Sequence, residues 1–206
     1  MSKLEIPRKA IYRLSLYFRN LQRLRQNRVE TVSSATLAKA SGVKPTQLRK
    51  DLTYFGQFGT RGLGYNVAQL CDILKTALGA TALQPVALVG VGYLGSALLR
   101  YDGLAKEGFE IVAAFDIDPV NCLGAGAKPK VRSISGMKEW IRKRAIKMAI
   151  LAVPVVVAQE VCNELVEGGI QAILNFCPTV LQVPSRVFVN NVDLALELEN
   201  LSYFIR

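Results

Sequence analysis

The stretch from Val86 to Leu99, VALVGVGYLGSALL, constrains the fold of this chain more than any other. A short apolar run ends at Gly90, Gly92 and Gly95 follow, and a helical pattern begins at Ser96. In a dinucleotide-binding unit, such glycines make a tight turn, let a pyrophosphate approach the backbone, and let helix and strand pack closely. The helix N-terminus then favours the phosphate charge. The alternative interpretation is a purely structural turn in a parallel sheet.

An acidic residue at the end of the next apolar run strengthens the nucleotide interpretation. Asp116 closes the run that starts at Ile111 and lies 21 positions after Gly95. A carboxylate at this distance would bind the ribose hydroxyls of an adenosine and repel a 2′-phosphate. Alternatively, Asp116 only caps the end of a strand.

Alternating strand and helix patterns in the second half of the chain predict a doubly wound parallel sheet. The predicted strands are 131–134, 148–153 and 172–176, and the predicted helices are 137–145 and 157–166. Ligands bind beyond the carboxyl ends of such strands, although the last two ends could be ordinary turns. The expected dinucleotide contacts at these ends are Gly90, Val91, Gly92, Tyr93, Leu94, Gly95, Asp116, Ile117, Val153, Pro154, Asn175 and Phe176.

The positive charge of the chain is confined to its first part. Residues 1–83 hold 14 Lys or Arg and 4 Asp or Glu, whereas residues 84–206 hold 12 of each. The net charge of +10 therefore lies before the glycine-rich stretch. Such asymmetry indicates a polyanionic partner, unless the basic face only keeps the protein in solution.

The basic part has the helix order of a helix-turn-helix. Helices are predicted at 7–28, at 33–42 with Ser at its start and Gly at its stop, and at 45–55 with Pro45 in its first turn. The first helix is basic and amphipathic, so by itself it could also lie on a membrane. The helices that follow it favour DNA, because polar residues near the start of the third one could enter a major groove.

A glycine-rich segment, residues 56–65, follows the third helix and suits a tight β-hairpin with Arg61 at its tip. After a helix-turn-helix such a hairpin would be a wing, although a glycine-rich linker is the simpler alternative. Residues 67–79 form a last predicted helix, followed by a linker at 80–85. The expected contacts to double-stranded DNA are Lys44, Thr46, Gln47, Arg49, Lys50, Thr53, Tyr54 and Arg61.

The remaining compositional features exclude several other classes. The four cysteines are far apart and form no CxxC pair, which argues against a metal site and for reduced thiols in the cytoplasm. The longest apolar run, 148–158, is too short to cross a bilayer, and the N-terminus has no signal-peptide pattern. The tail from Asn190 to Ile205 is apolar on more than one helix face, so a partner subunit is one way to bury it.

The order of these features resembles the Rex family of redox-sensing transcriptional repressors over the full length of the chain. The segments that carry the resemblance are QLRKDLTYFG at 47–56, GTRGLGY at 59–65, GVGYLG at 90–95, FDIDP at 115–119, NFCP at 175–178 and NVD at 191–193. The resemblance implies an α/β chain made of a winged helix-turn-helix at 1–83, a Rossmann-like sheet at 84–190 and a swapped C-terminal helix at 191–206.

The resemblance also implies a function. Rex-like proteins are homodimers that bind palindromic operators of fermentation and respiration genes, sense the NADH/NAD⁺ ratio, and leave the DNA when NADH binds. On that pattern Arg19, Tyr101 and Asp193 form a switch, with Asp193 pairing with the partner's tyrosine in one state and with the arginine in the other. No metal and no membrane are expected.

Without the family resemblance, the residues leave two alternative functions open. A small NAD-dependent dehydrogenase with a basic appendage is the first, but the chain has no histidine, which is the commonest general acid–base group. It also has no Tyr-x-x-x-Lys pair and too few residues for a substrate domain. The second is a module for another adenosine ligand such as coenzyme A, which Asp116 disfavours because that ligand carries a ribose phosphate.

Overall fold

The computed structural model describes residues 6–56, 58–59, 63–124 and 126–205. The chain divides into two compact units, residues 1–82 and 83–206. Within the described residues, none of the helices combines the length and apolarity needed to span a bilayer.

The first unit consists mainly of helices. Its helices are α1 (Arg8–Gln26), α2 (Ser34–Ala40), α3 (Pro45–Leu52) and α4 (Val67–Ala77), and its strands are β1 (Thr31–Val32) and β2 (Tyr65–Asn66). A 3₁₀ turn, Thr53–Phe55, extends α3. The side chains that form the core between these helices include Leu14, Tyr17, Leu21, Leu37, Leu48, Leu70 and Leu74.

Local signals set the ends of the helices in this unit. The Ser33 hydroxyl accepts a hydrogen bond of 3.0 Å from the backbone N–H of Thr36 and so caps α2. Gly42, with φ of +66°, turns the chain between α2 and α3. Pro45 is the first residue of α3, as its spacing predicts. The succession of α1, α2 and α3 agrees with the predicted helix-turn-helix, and β1, β2 and α4 complete the unit.

The strand β2, which begins at the last residue of the glycine-rich segment, pairs with a strand that precedes α2. Tyr65–Asn66 lies antiparallel to Thr31–Val32, and Phe58 packs against the core of the unit. Gln57 and residues 60–62 lie outside the described residues, so the predicted hairpin at 56–65 and Arg61 at its tip are not described.

The second unit is a sheet covered by helices. Its strands are β3 (Gln84–Val89), β4 (Phe109–Asp116), β5 (Val131–Ser133), β6 (Met148–Leu151), β7 (Ala172–Asn175) and β8 (Phe188–Asn191). Its helices are α5 (Tyr93–Leu99), α6 (Gly103–Lys106), α7 (Met137–Lys143), α8 (Val155–Gly168) and α9 (Leu194–Ser202), the last extended by a 3₁₀ turn at Tyr203–Ile205.

The strand order is β5-β4-β3-β6-β7-β8, and all neighbouring pairs are parallel. If the six strands of this sheet are numbered by themselves along the chain, their order is that of the Rossmann fold. The direction of winding reverses between β3 and β6. β3 is buried on both faces: Ala87 and Val89 belong to one core, and Val86 and Leu88 to the other. The predicted α/β sheet is therefore confirmed.

The only tryptophan of the chain, Trp140 on α7, lies at one edge of the first of these cores. Its ring meets the buried Phe115 ring edge to face, with 5.8 Å between the centroids. The Arg144 guanidinium lies 3.8 Å from the centre of the Trp140 ring, a cation–π contact.

Two elements of this unit differ from the sequence-based expectation. The short helix α6 was not predicted, and neither was β8, which pairs Asn190 and Asn191 with Leu174 and Asn175. Because Asn190 and Asn191 are in this strand, the terminal helix begins at Leu194 rather than at Asn191. The expected boundary between residues 190 and 191 falls inside β8.

Candidate functional site

The glycine turn lies at the carboxyl end of β3, where the winding of the sheet reverses. Gly90 has φ of +89°, and a Cβ there would lie 2.3 Å from the Ala152 carbonyl oxygen on the neighbouring strand end. A Cβ at Gly95 would lie 1.9 Å from the Gly90 carbonyl oxygen. The packing of the protein itself therefore requires both glycines.

Gly92 differs from these two, because nothing lies within 4 Å of the position that its Cβ would occupy. It is the N-cap of α5, and no side chain caps this end of the helix. The first backbone N–H groups of α5 therefore have no side-chain acceptor from this cap. This arrangement fits the dinucleotide, whose pyrophosphate needs close approach to a backbone without side chains.

Asp116 ends β4 beside this turn. Its Oδ2 accepts a hydrogen bond of 2.6 Å from the Val91 N–H, and its Oδ1 accepts one of 3.0 Å from the Asp118 N–H. Each carboxylate oxygen has a second lone pair that can accept from a ligand hydroxyl. The side chain of Ile117, next in the chain, is 85% exposed.

The end of β6 is held by a buried thiol. The Cys177 Sγ donates to the Val153 carbonyl oxygen at 3.0 Å. Burial raises the pKa of this thiol above its ordinary value, against a smaller opposite effect of the Val153 contact. Val153 is half-buried and Pro154 is exposed, so this turn presents an apolar surface.

Asn175, an expected cofactor contact, has a fully buried side chain. Its amide nitrogen donates to the carbonyl oxygens of Cys177 and Thr179 and to Asn191 Oδ1, and its Oδ1 accepts from the Cys177 N–H. The side chain therefore orders the turn after β7 from inside. Phe176 is half-buried and packs against the sheet.

Further apolar side chains lie exposed near the strand ends. The exposed apolar side chains of the expected site are those of Tyr93, Leu94, Ile117 and Pro154, and the first turn of α8 adds Val155 and Val156. Val156 is 92% exposed and Tyr93 88% exposed. The strand ends thus combine a carboxylate, bare backbone and apolar surface.

The side chains of α3 form the corresponding surface of the first unit. Lys44, Thr46, Arg49, Lys50 and Thr53 are exposed, and Gln47 and Tyr54 are half-buried. Arg49 Nη1 donates to the Ser34 hydroxyl at 3.1 Å, which links α3 to the start of α2. The Thr53 hydroxyl donates to the Lys50 carbonyl oxygen at 2.7 Å. Three of these exposed residues, Lys44, Arg49 and Lys50, carry a positive charge.

A buried carboxylate that sequence reasoning missed lies behind α3. Asp51, 1% exposed, accepts two hydrogen bonds from Arg13, at 2.6 and 2.7 Å. The Tyr17 hydroxyl and the Gln47 Nε2 each donate to it at 2.8 Å. Burial alone would raise the pKa of Asp51, but the bonds from Arg13, Tyr17 and Gln47 together lower it. The signal in the sequence is slight: Asp51 is an acid among the Lys and Arg residues of α3.

The three expected switch residues occupy different elements. Arg19 is exposed on α1 of the first unit. In the second unit Tyr101 follows α5 and is 61% exposed. Asp193 is the N-cap of α9, where its Oδ1 accepts from the N–H groups of Ala195 and Leu196 at 3.0 and 3.1 Å.

The helix α9 has no buried residue. Its exposed apolar side chains, with those of the following turn, are Leu194, Leu196, Leu198, Leu201, Tyr203, Phe204 and Ile205. Across the residues that the structure describes, no group of His, Cys, Asp and Glu side chains could hold a metal ion.

Two family models match the chain, one for each unit. A family described as "Putative DNA-binding protein N-terminus" matches residues 5–53, and one described as "CoA binding domain" matches residues 81–179.

Individual relatives match over almost the whole chain. The redox-sensing transcriptional repressor Rex of Carboxydothermus hydrogenoformans is 44% identical over 206 residues, which is 100% of this chain and 99% of the relative. The Rex of Pelotomaculum thermopropionicum is also 44% identical, over 98% of this chain and 95% of the relative.

Solved structures agree with these relatives. The crystal structure of RSP in complex with beta-NAD⁺ and operator DNA has a TM-score of 0.89 and 36% identity, covering 97% of this chain and 92% of that one. RSP in complex with beta-NADH has a TM-score of 0.85 and 34% identity, covering 98% and 94%. RSP is described as a Rex-family repressor. This chain therefore belongs to the Rex family of redox-sensing transcriptional repressors.

Proposed function

We propose that this protein represses transcription by binding operator DNA through its winged helix and leaves the operator when NADH binds to its Rossmann-like sheet. Its targets would be genes of fermentation and respiration, derepressed when NADH accumulates. The relatives are named as repressors and not as dehydrogenases, so the enzyme alternative is not favoured. The four cysteines are unpaired thiols, which supports action in the reducing cytoplasm.

The observation that carries the nucleotide part is the open backbone at Gly92 beside the Asp116 carboxylate. The N–H groups at the start of α5 would bind the pyrophosphate. Asp116 would accept hydrogen bonds from the adenosine ribose and would repel a 2′-phosphate, so NADH is favoured over NADPH.

The apolar strand ends supply the redox discrimination in this proposal. When bound, the cofactor brings a nicotinamide ring that is cationic in NAD⁺ and neutral in NADH. Val153 and Phe176 would line the pocket for this ring, and an apolar pocket disfavours an unpaired charge. A closed state that buries the ring should therefore prefer NADH, and the ligand shifts the protein toward that state by this difference in affinity.

A second copy of the chain is the proposed partner of α9. The helix α9 has no buried residue and has apolar side chains on more than one face, so a binding partner is needed to bury this apolar surface. In the swapped dimer Asp193 would pair with the partner's tyrosine at position 101 in one state and with an arginine at position 19 in the other. The exchange would alter the separation of the two α3 helices, which must match DNA half-sites about 34–36 Å apart or a multiple of that.

The test is fluorescence anisotropy of a labelled palindromic duplex obtained by in vitro selection with this protein. NADH, NAD⁺, NADPH and acetyl-coenzyme A are titrated into the complex at one stated salt concentration, because phosphate contacts make the affinity salt-dependent. We expect release by NADH at concentrations at which the other three leave the complex intact.

Other outcomes would contradict the proposal in distinct ways. Tight DNA binding that ignores all four ligands would exclude the sensor but keep the winged helix. Release by acetyl-coenzyme A alone would favour the adenosine-ligand alternative. Failure to select any duplex, together with oxidation of NADH by an aldehyde or reduction of NAD⁺ by an alcohol or a hydroxy acid, would restore the dehydrogenase hypothesis.

A further inference from the structure

The Asp51 carboxylate has a hydrogen-bonding capacity that its neighbours fill completely. Oδ2 accepts from Arg13 Nε at 2.6 Å and from the Tyr17 hydroxyl at 2.8 Å. Oδ1 accepts from Arg13 Nη2 at 2.7 Å and from Gln47 Nε2 at 2.8 Å. A carboxylate has about four acceptor sites, so none is left for a fifth donor.

Three of these four donors belong to Arg13 and Tyr17 on α1, whereas the fourth, Gln47, belongs to α3 itself. It is the third residue of α3, whose first residue is Pro45, and it is half-buried. Residues near the N-terminus of a recognition helix are the ones that contact base edges in the major groove. Gln47 thus connects a fixed internal charge to the surface that would face DNA.

The chemistry of the carboxylate decides which way the Gln47 amide points. An ionised carboxylate only accepts hydrogen bonds, so the amide must turn its NH₂ group toward Asp51. One N–H is then used, and the other N–H and the carbonyl oxygen Oε1 remain. An amide that is free to rotate can present two donors or an acceptor, whereas the anchored amide presents one donor beside one acceptor.

We propose that Asp51 is a positioning residue for DNA specificity, which holds Gln47 so that it reads adenine in the major groove. Adenine offers the N7 acceptor and the N6 donor, which match one N–H and the Oε1 of a glutamine. Guanine offers two acceptors, O6 and N7, and matches the anchored amide poorly. This inference rests on the proposed operator binding and adds which base pair one side chain selects.

The experiment measures base discrimination with the full-length protein. A binding-site selection identifies the preferred duplex, and all single base-pair variants of one half-site are then compared by competition for the wild type, Gln47→Ala, Asp51→Asn and the double variant. We expect Gln47→Ala to lose about tenfold discrimination at one A·T pair. Asp51→Asn should lose most of the same discrimination at the same pair and add nothing in the Gln47→Ala background.

A purely structural role for Asp51 gives a different pattern. It would weaken binding to every duplex by the same factor, and its effect would persist in the Gln47→Ala background; either result overturns the proposal. Tyr17→Phe is the matched control, because it removes a bond to the same carboxylate but leaves the Gln47 contact. The Tyr17→Phe variant should discriminate at the A·T pair as well as the wild type does. A loss of discrimination in this variant would also overturn the proposal.

A measurement on the wild-type protein covers the case in which Asp51→Asn does not fold. In NMR relaxation measurements, the side-chain amide of Gln47 should have an order parameter close to that of the α3 backbone. The side-chain amide of the exposed Gln69 on α4 should have a lower order parameter. Equal mobility of the two amides would overturn the positioning role. Absence of any sequence preference in the wild type would overturn the proposed function and this inference with it, whereas specific binding without coupling overturns the inference alone.

Discussion

The Asp116 carboxylate accepts a hydrogen bond of 2.6 Å from the backbone N–H of Val91, which joins the end of β4 to the glycine turn after β3. The two strands are parallel neighbours with Val89 beside Phe115, so their ends meet at one edge of the sheet. The residue expected to bind ribose therefore also helps to hold the turn expected to bind phosphate.

The first prediction concerns Asp116. In the Asp116→Ala variant, NADH affinity should fall about tenfold or more, because the ribose hydroxyls lose their acceptor and the turn loses a tether. The preference for NADH over NADPH should shrink, because the charge that repels the 2′-phosphate is gone. Calorimetric titration with both cofactors measures this. Asp118→Ala is the control: this exposed acid bonds Asn121 and should leave the cofactor preference unchanged.

The second prediction separates two glycines of the same turn. Gly92→Ala should fold with a stability within about 0.5 kcal/mol of the wild type, because its Cβ meets no protein atom, yet it should bind NADH at least about tenfold more weakly. Gly95→Ala should lose about 2 kcal/mol or more, because its Cβ would lie 1.9 Å from the Gly90 oxygen. Thermal unfolding and NADH titration of both variants test this, and equal NADH affinity in Gly92→Ala and the wild type would contradict it.

The third prediction uses the depressed pKa of Asp51. As the pH falls, Asp51 is protonated in the unfolded protein before it is protonated in the folded protein, because its pKa is lower in the folded state. The ionised Asp51 therefore contributes its full stabilisation above the ordinary carboxyl pKa, and this contribution is lost as the pH falls through the lower pKa of the folded state. At pH 7 we expect Asp51→Asn to be about 2 kcal/mol less stable than the wild type. The substitution breaks the ion pair between Asp51, which is buried, and Arg13, which is partly exposed. The difference should narrow below about pH 4.

Urea unfolding at pH 7 and at acid pH measures this difference. The control is Asp72→Asn, which breaks the exposed pair of Asp72 with Arg25 and should change the stability little at either pH. A difference for Asp51→Asn that stays constant or grows as the pH falls would refute the assignment.

The fourth prediction tests the proposed switch. Asp193→Asn keeps an N-cap for α9 but removes the charge, so DNA and NADH should each still bind while NADH no longer releases the DNA at wild-type concentrations. Asp193→Ala should behave in the same way with a weaker helix. Anisotropy of the labelled operator gives the readout, and normal release from Asp193→Asn would show that Asp193 is not part of the switch.

The fifth prediction concerns the unburied helix α9. The Leu198 side chain is 67% exposed on the apolar surface of α9, so Leu198→Glu places a charge on that surface. This variant should be a monomer rather than a dimer in light scattering after size-exclusion chromatography. Glu199→Gln on the same helix is the control and should remain dimeric. A dimeric Leu198→Glu protein, or a monomeric wild type, would contradict the proposed role of α9.

The sequence predicts the parts of the structure that depend on short-range patterns. The turn at Gly90, Gly92 and Gly95 lies where it was expected, and α8 (Val155–Gly168) contains the helix predicted at 157–166. Asp116 was recognised because it ends an apolar run at the expected distance from the glycines. These signals are local, so neighbouring residues suffice to interpret them.

The parts that were missed depend on contacts between distant residues. Asp51 meets Arg13 38 positions away, and no periodicity connects α1 with α3. The strand β8 exists because residues 188–191 pair with β7, which a short sequence of mixed polarity does not indicate. The hydrogen bonds of the Asn175 side chain to the turn after β7 and to Asn191 on β8 were not predicted either.

The contact between Trp140 and Phe115 gives the protein a natural optical probe. The chain has one tryptophan, on α7 of the sheet unit, and its ring touches the residue that directly precedes Asp116. Reduced nicotinamide absorbs in the range where indole emits, whereas the oxidised ring does not. Quenching of the intrinsic fluorescence can therefore follow cofactor occupancy without a label, while a dye on the DNA reports operator binding in the same cuvette.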